Sequence, residues 1–368
     1  MNILFDHQIF CLQQYGGISR YFYELASHIA DPVEQKVKIF APVHINSYLS
    51  VLSNVSHKGV QIPVLSGFGR VAAFGVDTAL AYAMIKSRRG VDIFHETYYS
   101  GMDCCPRSAK RVITVFDMIH EKYAVLSPGR DKTRQVKANA VKRADHVICI
   151  SENTKCDLIK LLGVPEEKIS VTYLGCSLVA KEKRASSSGG KPYILYVGKR
   201  DGYKNFSSML RAYAASPMLK NNFSLVSFGG GVFSLREREL IKEYGLLQTS
   251  VLHFSGGDDV LAGLYKAAAA FVYPSLYEGF GIPALEAMSF GCPIVCANNS
   301  SLPEVVGNAA ELFDPEDEAE MRAAIERVVS SSERSRILSD RGYGRLKQFS
   351  WKKCAQDTLN IYSKVLQC

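Results

Sequence analysis

Two successive doubly wound α/β sheets are what this sequence predicts, and three observations predict them. Its 368 residues exceed what one ordinary core organises and fit two domains comfortably. Short apolar runs alternate with helical stretches along both halves. Between the halves lies KEKRASSSGGKP, charged, then rich in Ser and Gly, with no periodic apolar pattern. These features set residues 1–178 as a first domain, 179–191 as a linker and 192–348 as a second domain. A last helix over 349–368 is expected to pack back toward the first domain.

In the first half, Ile3, Leu4 and Phe5 open a strand, and Tyr15-Gly16-Gly17 lies in the loop beyond it. A helix is read from about Ser19, because Tyr21, Phe22, Leu25 and Ile29 mark one apolar stripe. VDIFHE, RVITVFDMIH and DHVICIS follow as short apolar runs with polar bounds, as buried parallel strands require. After VTYLGC and the linker, the runs PYILYVG, FSLVSFGGG, VLHFSG, AFVYPS and PIVCAN repeat the pattern. Helices separate them, from about Phe206, through Arg236 to Tyr244, near Leu261 to Ala269, and after AFVYPS. Trp351, Cys354, Thr358, Ile361 and Val365 recur at helical spacing near the end. Open sheets of this kind bind ligands outside the carboxyl ends of their strands, so the active site is expected in a cleft between the two domains.

Composition excludes several classes. Apolar content of 47% with 22% charged residues belongs to a folded chain, not a disordered one. MNILFDHQIF has neither a basic start nor a long apolar stretch, and no window reaches the roughly 18 apolar residues of a membrane span. A cytoplasmic location is the expectation. The ten cysteines lack C-x-x-C spacing, which points to reduced thiols rather than zinc or a disulfide framework. A net charge of +8 without a nucleic-acid motif argues against DNA or RNA as partners.

The densest signal is VYPSLYEGFGIPALEAMSFGCPIV. A strand ends at Pro274, a loop holds Glu278, Gly279, Phe280 and Gly281, and Ile282-Pro283 suits the first turn of a helix containing Glu286. Loop amides and a helix N-terminus favour an anion such as a diphosphate. Carboxylates accept from sugar and ribose hydroxyls. A second cluster, VGKRDGYKNF, places Gly198, Lys199, Arg200, Lys204 and Asn205 between a strand and a helix, where cations can offset charge building on a departing phosphate. Gly16-Gly17 allows a tight turn and close backbone approach to a ligand.

Over nearly its full length the sequence resembles the retaining glycosyltransferases of family 4, which have the GT-B fold: two Rossmann-like domains facing each other across a cleft. Its specific part is the E-x7-E spacing of Glu278 and Glu286 within GFG-x-P-x-LEA. The resemblance implies that Glu278 holds hydroxyls of the donor sugar and Glu286 those of the ribose. It gives Arg200 and Lys204 the donor phosphates, with Gly16, Gly17, Gly198, Gly279, Phe280, Gly281 and Ile282 also at the donor, and it sets the nucleotide base near Gly256. No metal and no cofactor are implied, and no D-x-D motif is present.

One departure concerns the His-Asp pair that many relatives carry after a strand of the first domain. Here TVFDMIHEKY has Asp117 and, three residues on, His120, which are expected to face the sugar and acceptor. His95 and Glu96 in HETYYS are weaker candidates of the same kind. The family includes transferases of bacterial lipopolysaccharide O-antigen and capsule. GDP-mannose is therefore the first donor expectation, with UDP-glucose, a UDP-N-acetyl sugar or dTDP-rhamnose as alternatives. A glycan or lipid-linked acceptor is expected, together with peripheral contact with the cytoplasmic face of the inner membrane through Arg130, Arg134 and Lys137. LSGFGRVAAFGVDTALAYAMIKSRR is either an interfacial segment or a core helix. Three rivals stand beside this reading. A UDP-sugar 2-epimerase would isomerise its substrate without an acceptor. A nicotinamide oxidoreductase would want the G-x-G-x-x-G turn that Tyr15-Gly16-Gly17-Ile18-Ser19 does not supply. A noncatalytic binding module would bind a donor without turning it over.

Overall fold

The computed structural model describes the chain except residues 32, 65–66, 124–131, 179–190, 201, 248 and 368, and except the side chains of 67, 68 and 70–73. Most of the expected linker, and Arg130, lie outside the described residues. Two compact units are present, one of Met1–Leu174 with Trp351–Cys368 and one of Gly175–Ser350.

The first unit holds seven strands: β1 Asn2–Phe5, β2 Lys36–His44, β3 Ser56–Gln61, β4 Ile93–Glu96, β5 Lys110–Val115, β6 His146–Cys149 and β7 Ile169–Val171. They pair in parallel in the order β3-β2-β1-β4-β5-β6-β7. The second unit holds six: β8 Tyr193–Val197, β9 Ser224–Phe228, β10 Val251–Phe254, β11 Ala270–Tyr273, β12 Ile294–Ala297 and β13 Ala310–Phe313. Their order is β10-β9-β8-β11-β12-β13, again parallel. Strand order reverses between β1 and β4 and between β8 and β11, and these switch points mark the ligand crevice of each sheet. The interior strands β4, β11 and β12 are buried along their whole length, because helices cover both faces.

β2, β3, β7 and β13 go beyond the strands read from sequence. Pro42 interrupts the β2 run, and a proline argues against a central strand. The structure accommodates it where the register with β3 shifts between Phe40 and Val43. β3 is an edge strand exposed at every position, so it carries no apolar alternation to read.

The helix Trp351–Gln367 buries Trp351, Cys354, Ala355, Thr358, Ile361, Tyr362 and Val365 and packs on the helix Gly17–Ile29 of the first unit. The Tyr362 hydroxyl lies 2.5 Å from His95 Nδ1, and His95 Nε2 lies 2.9 Å from Thr114 Oγ1. His95 is fully buried, so it is a core residue and not one facing a substrate. Glu96 is buried too, paired with Arg143 at 2.7 Å and Arg111 at 3.5 Å. The basic face expected over 130–137 is also corrected. Lys137 is wholly buried, its ammonium 2.8 Å from Glu121 and 2.9 Å from the Asp117 carbonyl, which leaves only Arg134 of the described pair exposed. No helix among the described residues is long and apolar enough to cross a membrane.

Candidate active site

At the switch point of the second sheet two loops are bound together. β8 leaves the sheet through Gly198, which takes φ 133°, and a short turn over Gly202–Lys204 leads to Asn205. Asn205 sits in the left-handed region at φ 58° and caps the helix Phe206–Ala214. A non-glycine residue there is strained, and its side chain shows what holds it. The Asn205 amide donates to the carbonyls of Pro274 at 3.1 Å and Pro315 at 2.9 Å. The Leu276 amide donates to the Tyr203 carbonyl at 2.7 Å. These bonds bring Lys204 to Glu278, with Nζ and Oε1 2.6 Å apart.

The loop bearing Glu278 is held from a third side. Ser301 Oγ donates to the carbonyls of Glu278 and Phe280 at 2.9 and 2.8 Å, and Asn299 donates to Leu276 O at 2.7 Å. A trans peptide points its C=O and N–H in opposite directions, so the amides of Gly279 and Gly281 face away from Ser301. The Phe280 ring is buried against Phe349, which leaves its backbone as the part that can meet a ligand. Gly281 caps the helix Ile282–Ser289 at φ 116°, and a Cβ there would lie 2.9 Å from Leu302. Ser300, at φ 49°, accepts from the Glu278 amide at 3.0 Å.

Both motif glutamates are largely buried and each meets a phenol. Tyr265 donates to Glu286 Oε2 at 3.1 Å, and Tyr273 hydrogen-bonds Glu278. Burial, and then the neighbouring glutamate, hold both phenols well above the usual tyrosine range, so they act as donors. The carboxylates are thus oriented by fixed O–H groups, each keeping acceptor capacity for a ligand hydroxyl. Sequence reasoning passed over Tyr265, Tyr273 and Asn299–Ser301. Tyrosines in apolar runs read as core, and NNSS reads as a plain turn.

Arg200, expected beside Lys204 at the phosphates, spends its guanidinium elsewhere. Nε meets Glu237 at 2.6 Å, Nη1 meets Gly229 O at 2.7 Å and Ser227 Oγ at 3.4 Å, and Nη2 meets Gly231 O at 2.8 Å and Val232 O at 3.1 Å. Five N–H groups have five acceptors. The Phe233 ring lies 4.7 Å from the guanidinium carbon. Gly229, Gly230 and Gly231 all take positive φ, near 84°, 71° and 75°, and so turn successive carbonyls onto one cation. Burial opposes the charge of Glu237, yet Arg200 and the Ser234 cap hold its carboxyl below the usual range. A cavity of about 760 Å³ opens beside this clamp, lined by Lys199, Gly202, Ser207, Gly230, Ser234 and Arg236 among others. That volume suits a small-molecule ligand. Gly256 closes the loop after β10, where a Cβ would lie 2.8 Å from Val260.

In the first unit, Gly16 caps the helix Gly17–Ile29, and a Cβ on it would collide with the Gln13 side chain, which accepts from the Ser19 amide. Asp117 follows β5 and accepts from the Ile119 amide at 3.0 Å, with His120 half-buried in the short helix Ile119–Lys122 beside it. At the switch point itself stand residues that sequence reading did not single out. Asp6 after β1 accepts from Thr97 N at 2.8 Å and Gln8 Nε2 at 2.6 Å. His7 Nε2 lies 3.3 Å from Thr78 Oγ1 and 3.8 Å from Asp77. A lone Asp-His after a strand gives no spacing signal. Among the described residues no group of three or more His, Cys, Asp or Glu could hold a metal ion.

Residues 15–178 match the family described as Glycosyltransferase Family 4, and residues 179–345 match Glycosyl transferases group 1. The chain is 30% identical over 370 residues to O-antigen chain mannosyltransferase B of Escherichia coli, covering 94% of this chain and 95% of that protein. It is 40% identical over 239 residues to the MMP alpha-(1->4)-mannosyltransferase of Mycolicibacterium hassiacum, covering 63% of this chain and 57% of that one. In fold it is similar to a sucrose-phosphate synthase of Thermosynechococcus elongatus, with a TM-score of 0.75 at 21% identity, covering 100% of this chain and 99% of that one. The paired glutamates, the two parallel sheets and the full-length relative agree: the chain belongs to the family 4 glycosyltransferases and has the GT-B fold.

Proposed function

We propose that the protein is a retaining, metal-independent hexosyltransferase that moves mannose from GDP-mannose to a hydroxyl of a glycan or lipid-linked acceptor in bacterial surface polysaccharide synthesis. The observation that carries the reading is the Lys204–Glu278 contact at the start of the helix Ile282–Ser289. A cation and a carboxylate meet there at a helix N-terminus, which is the chemistry a sugar diphosphate needs. The mannosyl donor is favoured by the names of the relatives, an O-antigen and an MMP mannosyltransferase.

In this reading the labour is divided among the residues. Lys204 offsets the charge that gathers on the diphosphate oxygen as the bond to the sugar breaks, aided by the amides of Gly279 and Gly281. Glu278 accepts from sugar hydroxyls, and Glu286, held by Tyr265, accepts from the ribose. Gly16 and Gly17 are assigned to the diphosphate, and Asp117 and His120 to the acceptor. The acceptor oxygen attacks the face that the diphosphate leaves, and its proton passes to the leaving phosphate oxygen, so configuration is retained. In this reading the two motif carboxylates bind hydroxyls and do not act as the opposed acid and nucleophile of a glycosidase.

Thermal shift against GDP, UDP, dTDP and their sugars tests the donor. A true donor stabilises the fold by mass action, by about 2.7 kcal/mol at a hundred times its dissociation constant. Stabilisation by GDP-mannose, followed by mannose transfer to a glycan acceptor, supports the reading. Stabilisation by a UDP- or dTDP-sugar alone overturns the donor, and isomerisation of a UDP-sugar without acceptor overturns the transfer.

A further inference from the structure

An aromatic cluster stands at the loop that leads into the helix Gly17–Ile29. The Tyr15 side chain is 65% exposed. Its ring lies 5.6 Å from that of Tyr48 with the planes 87° apart, and Tyr48 lies 5.5 Å from Tyr23 at 30°. Arg20 Nε donates to the Tyr48 hydroxyl at 3.1 Å. The backbone beneath is tied down. Asn46, wholly buried, donates to the carbonyls of Gln13 at 2.7 Å and Gln14 at 3.3 Å, and accepts from the Tyr48 amide at 3.0 Å. The Ser47 amide donates to Gln14 O at 3.1 Å, and Gln13 Oε1 accepts from the Ser19 amide at 3.1 Å. Single exposed tyrosines are ordinary. A ring held open on a tethered loop is a different case, because little conformational freedom remains to be lost when something rests on it.

In an edge-to-face pair one ring gives its edge to the face of the other, so Tyr48 covers at most one face of Tyr15. The other face is negative at its centre and attracts weakly positive groups: a cation, the edge of another ring, or the C–H bonds of a sugar. Two observations choose among them. The first is position. Tyr15 is followed directly by Gly16 and Gly17, with Cα atoms about 3.8 Å and at most about 7 Å from its own. That turn is assigned above to the donor diphosphate, and the compound that must lie beside a departing diphosphate is the acceptor. The second is chemistry. Gln14 and Ser47, which flank the two rings in sequence, offer neutral donors and acceptors, and the cation of the cluster, Arg20, already serves Tyr48 and opposes a cationic ligand. A bare aromatic face with a neutral hydrogen-bonding rim suits a polyhydroxyl ring, its C–H bonds on the face and its hydroxyls at the rim.

We infer that Tyr15, backed by Tyr48 and Tyr23, is a stacking platform for a neutral pyranose ring of the acceptor glycan. The inference rests on the transfer reading for the kind of ligand, and on the ring geometry for the place. The platform binds and takes no part in breaking the donor bond. Sequence reading passed over it, because Tyr15 stood there only as the lead-in to two glycines, and Tyr23 and Tyr48 are brought beside it by other turns of the chain.

Two measurements on the full chain test it. In the first, Tyr15→Trp is titrated with mannotriose, maltotriose and the N-acetylglucosamine trimer without any donor. The natural Trp351 is buried, so a change in emission reports the new indole. A saturable change with at least one trisaccharide is expected, and no change with any of the three overturns the platform. In the second, transfer from GDP-mannose to the trisaccharide that binds is followed by steady-state kinetics. Tyr15→Ala should raise KM for the trisaccharide about tenfold with kcat nearly unchanged, the mark of lost ground-state binding. Tyr15→Phe, which keeps the ring, should stay within about twofold of wild type. An unchanged KM in Tyr15→Ala, a fall in kcat and thermal stability instead, or an equal loss in Tyr15→Phe each overturns the stacking role. So does a wild-type dimer that Tyr15→Ala dissociates, since the ring would then serve a protein contact. Absence of transfer from any donor would refute the function proposed above, while the titration would still decide whether the platform holds a sugar.

Discussion

Replacing His95 with glutamine separates a core histidine from a catalytic one, and the size of the effect follows from its surroundings. The ring is fully buried between Tyr362 and Thr114, and burial pushes its pKa from 6.5 down to about 3. Between those values the unfolded chain takes up a proton that the folded chain refuses. The stabilising contribution is therefore complete above about pH 6.5 and is lost as pH falls toward 3. One pKa unit is 1.36 kcal/mol, so the full loss approaches about 5 kcal/mol, and by pH 5 it has reached about 2 kcal/mol. A glutamine side chain offers hydrogen-bonding groups but no titration. At pH 7.5 the variant should be less stable than wild type by about 1–3 kcal/mol, from lost packing and imperfect hydrogen bonds. Urea unfolding of both proteins from pH 7.5 to 5 should show that gap shrinking by about 2 kcal/mol. Glu96 next door, which burial raises to about 7 against the pull of Arg143, titrates in both proteins and largely cancels in the difference. A gap that does not change with pH would refute the argument. So would a loss of turnover beyond about a hundredfold at pH 7.5, since that would put the ring within reach of substrate.

Lys204→Ala should lower kcat by about 10²–10³ with a smaller change in KM for the donor, because its charge counts most as the phosphate bond breaks; steady-state kinetics with an unchanged kcat would exclude that role. Arg200→Met should destabilise by about 3 kcal/mol, at the low end for a broken buried pair, because Glu237 keeps 19% of its side chain exposed. Denaturation of Arg200→Lys should recover only part of this, since one ammonium cannot reach five acceptors. Gly281→Ala should cost about 1–3 kcal/mol through its positive φ and the close approach of Leu302, read as a lower unfolding midpoint. A chelator should leave turnover unchanged, with loss restored by one divalent ion as the contrary result.

Strands that are apolar throughout, such as Ile93–Glu96 and Ile294–Ala297, were legible because burial on both faces writes itself as an unbroken run. The edge strand Ser56–Gln61 was not, since it is exposed at every position and has no inner face to mark. At the site the same division holds. Glu278 and Glu286 could be found because the loop, the proline and the helix that place them are adjacent in sequence. The fate of Arg200 could not, because Glu237 and the glycine carbonyls that capture it come from another loop, and a guanidinium goes where its acceptors are. His95 and Lys137 show the same blindness from the other side. Polar side chains in a run near the end of a strand or on a basic helix look available until the partners that bury them, Tyr362 and Glu121, are brought up by distant turns of the chain.

The helix Trp351–Gln367 belongs to the unit that begins at Met1. Vectorial synthesis then imposes an order. The Gly175–Ser350 unit can close as soon as it leaves the ribosome, whereas the earlier unit must wait for its final helix to fill the space over Tyr21 and beside His95. A nascent chain stalled after Ser350 would carry a finished second unit and an open first one, its aromatic core exposed to chaperones and to neighbouring chains.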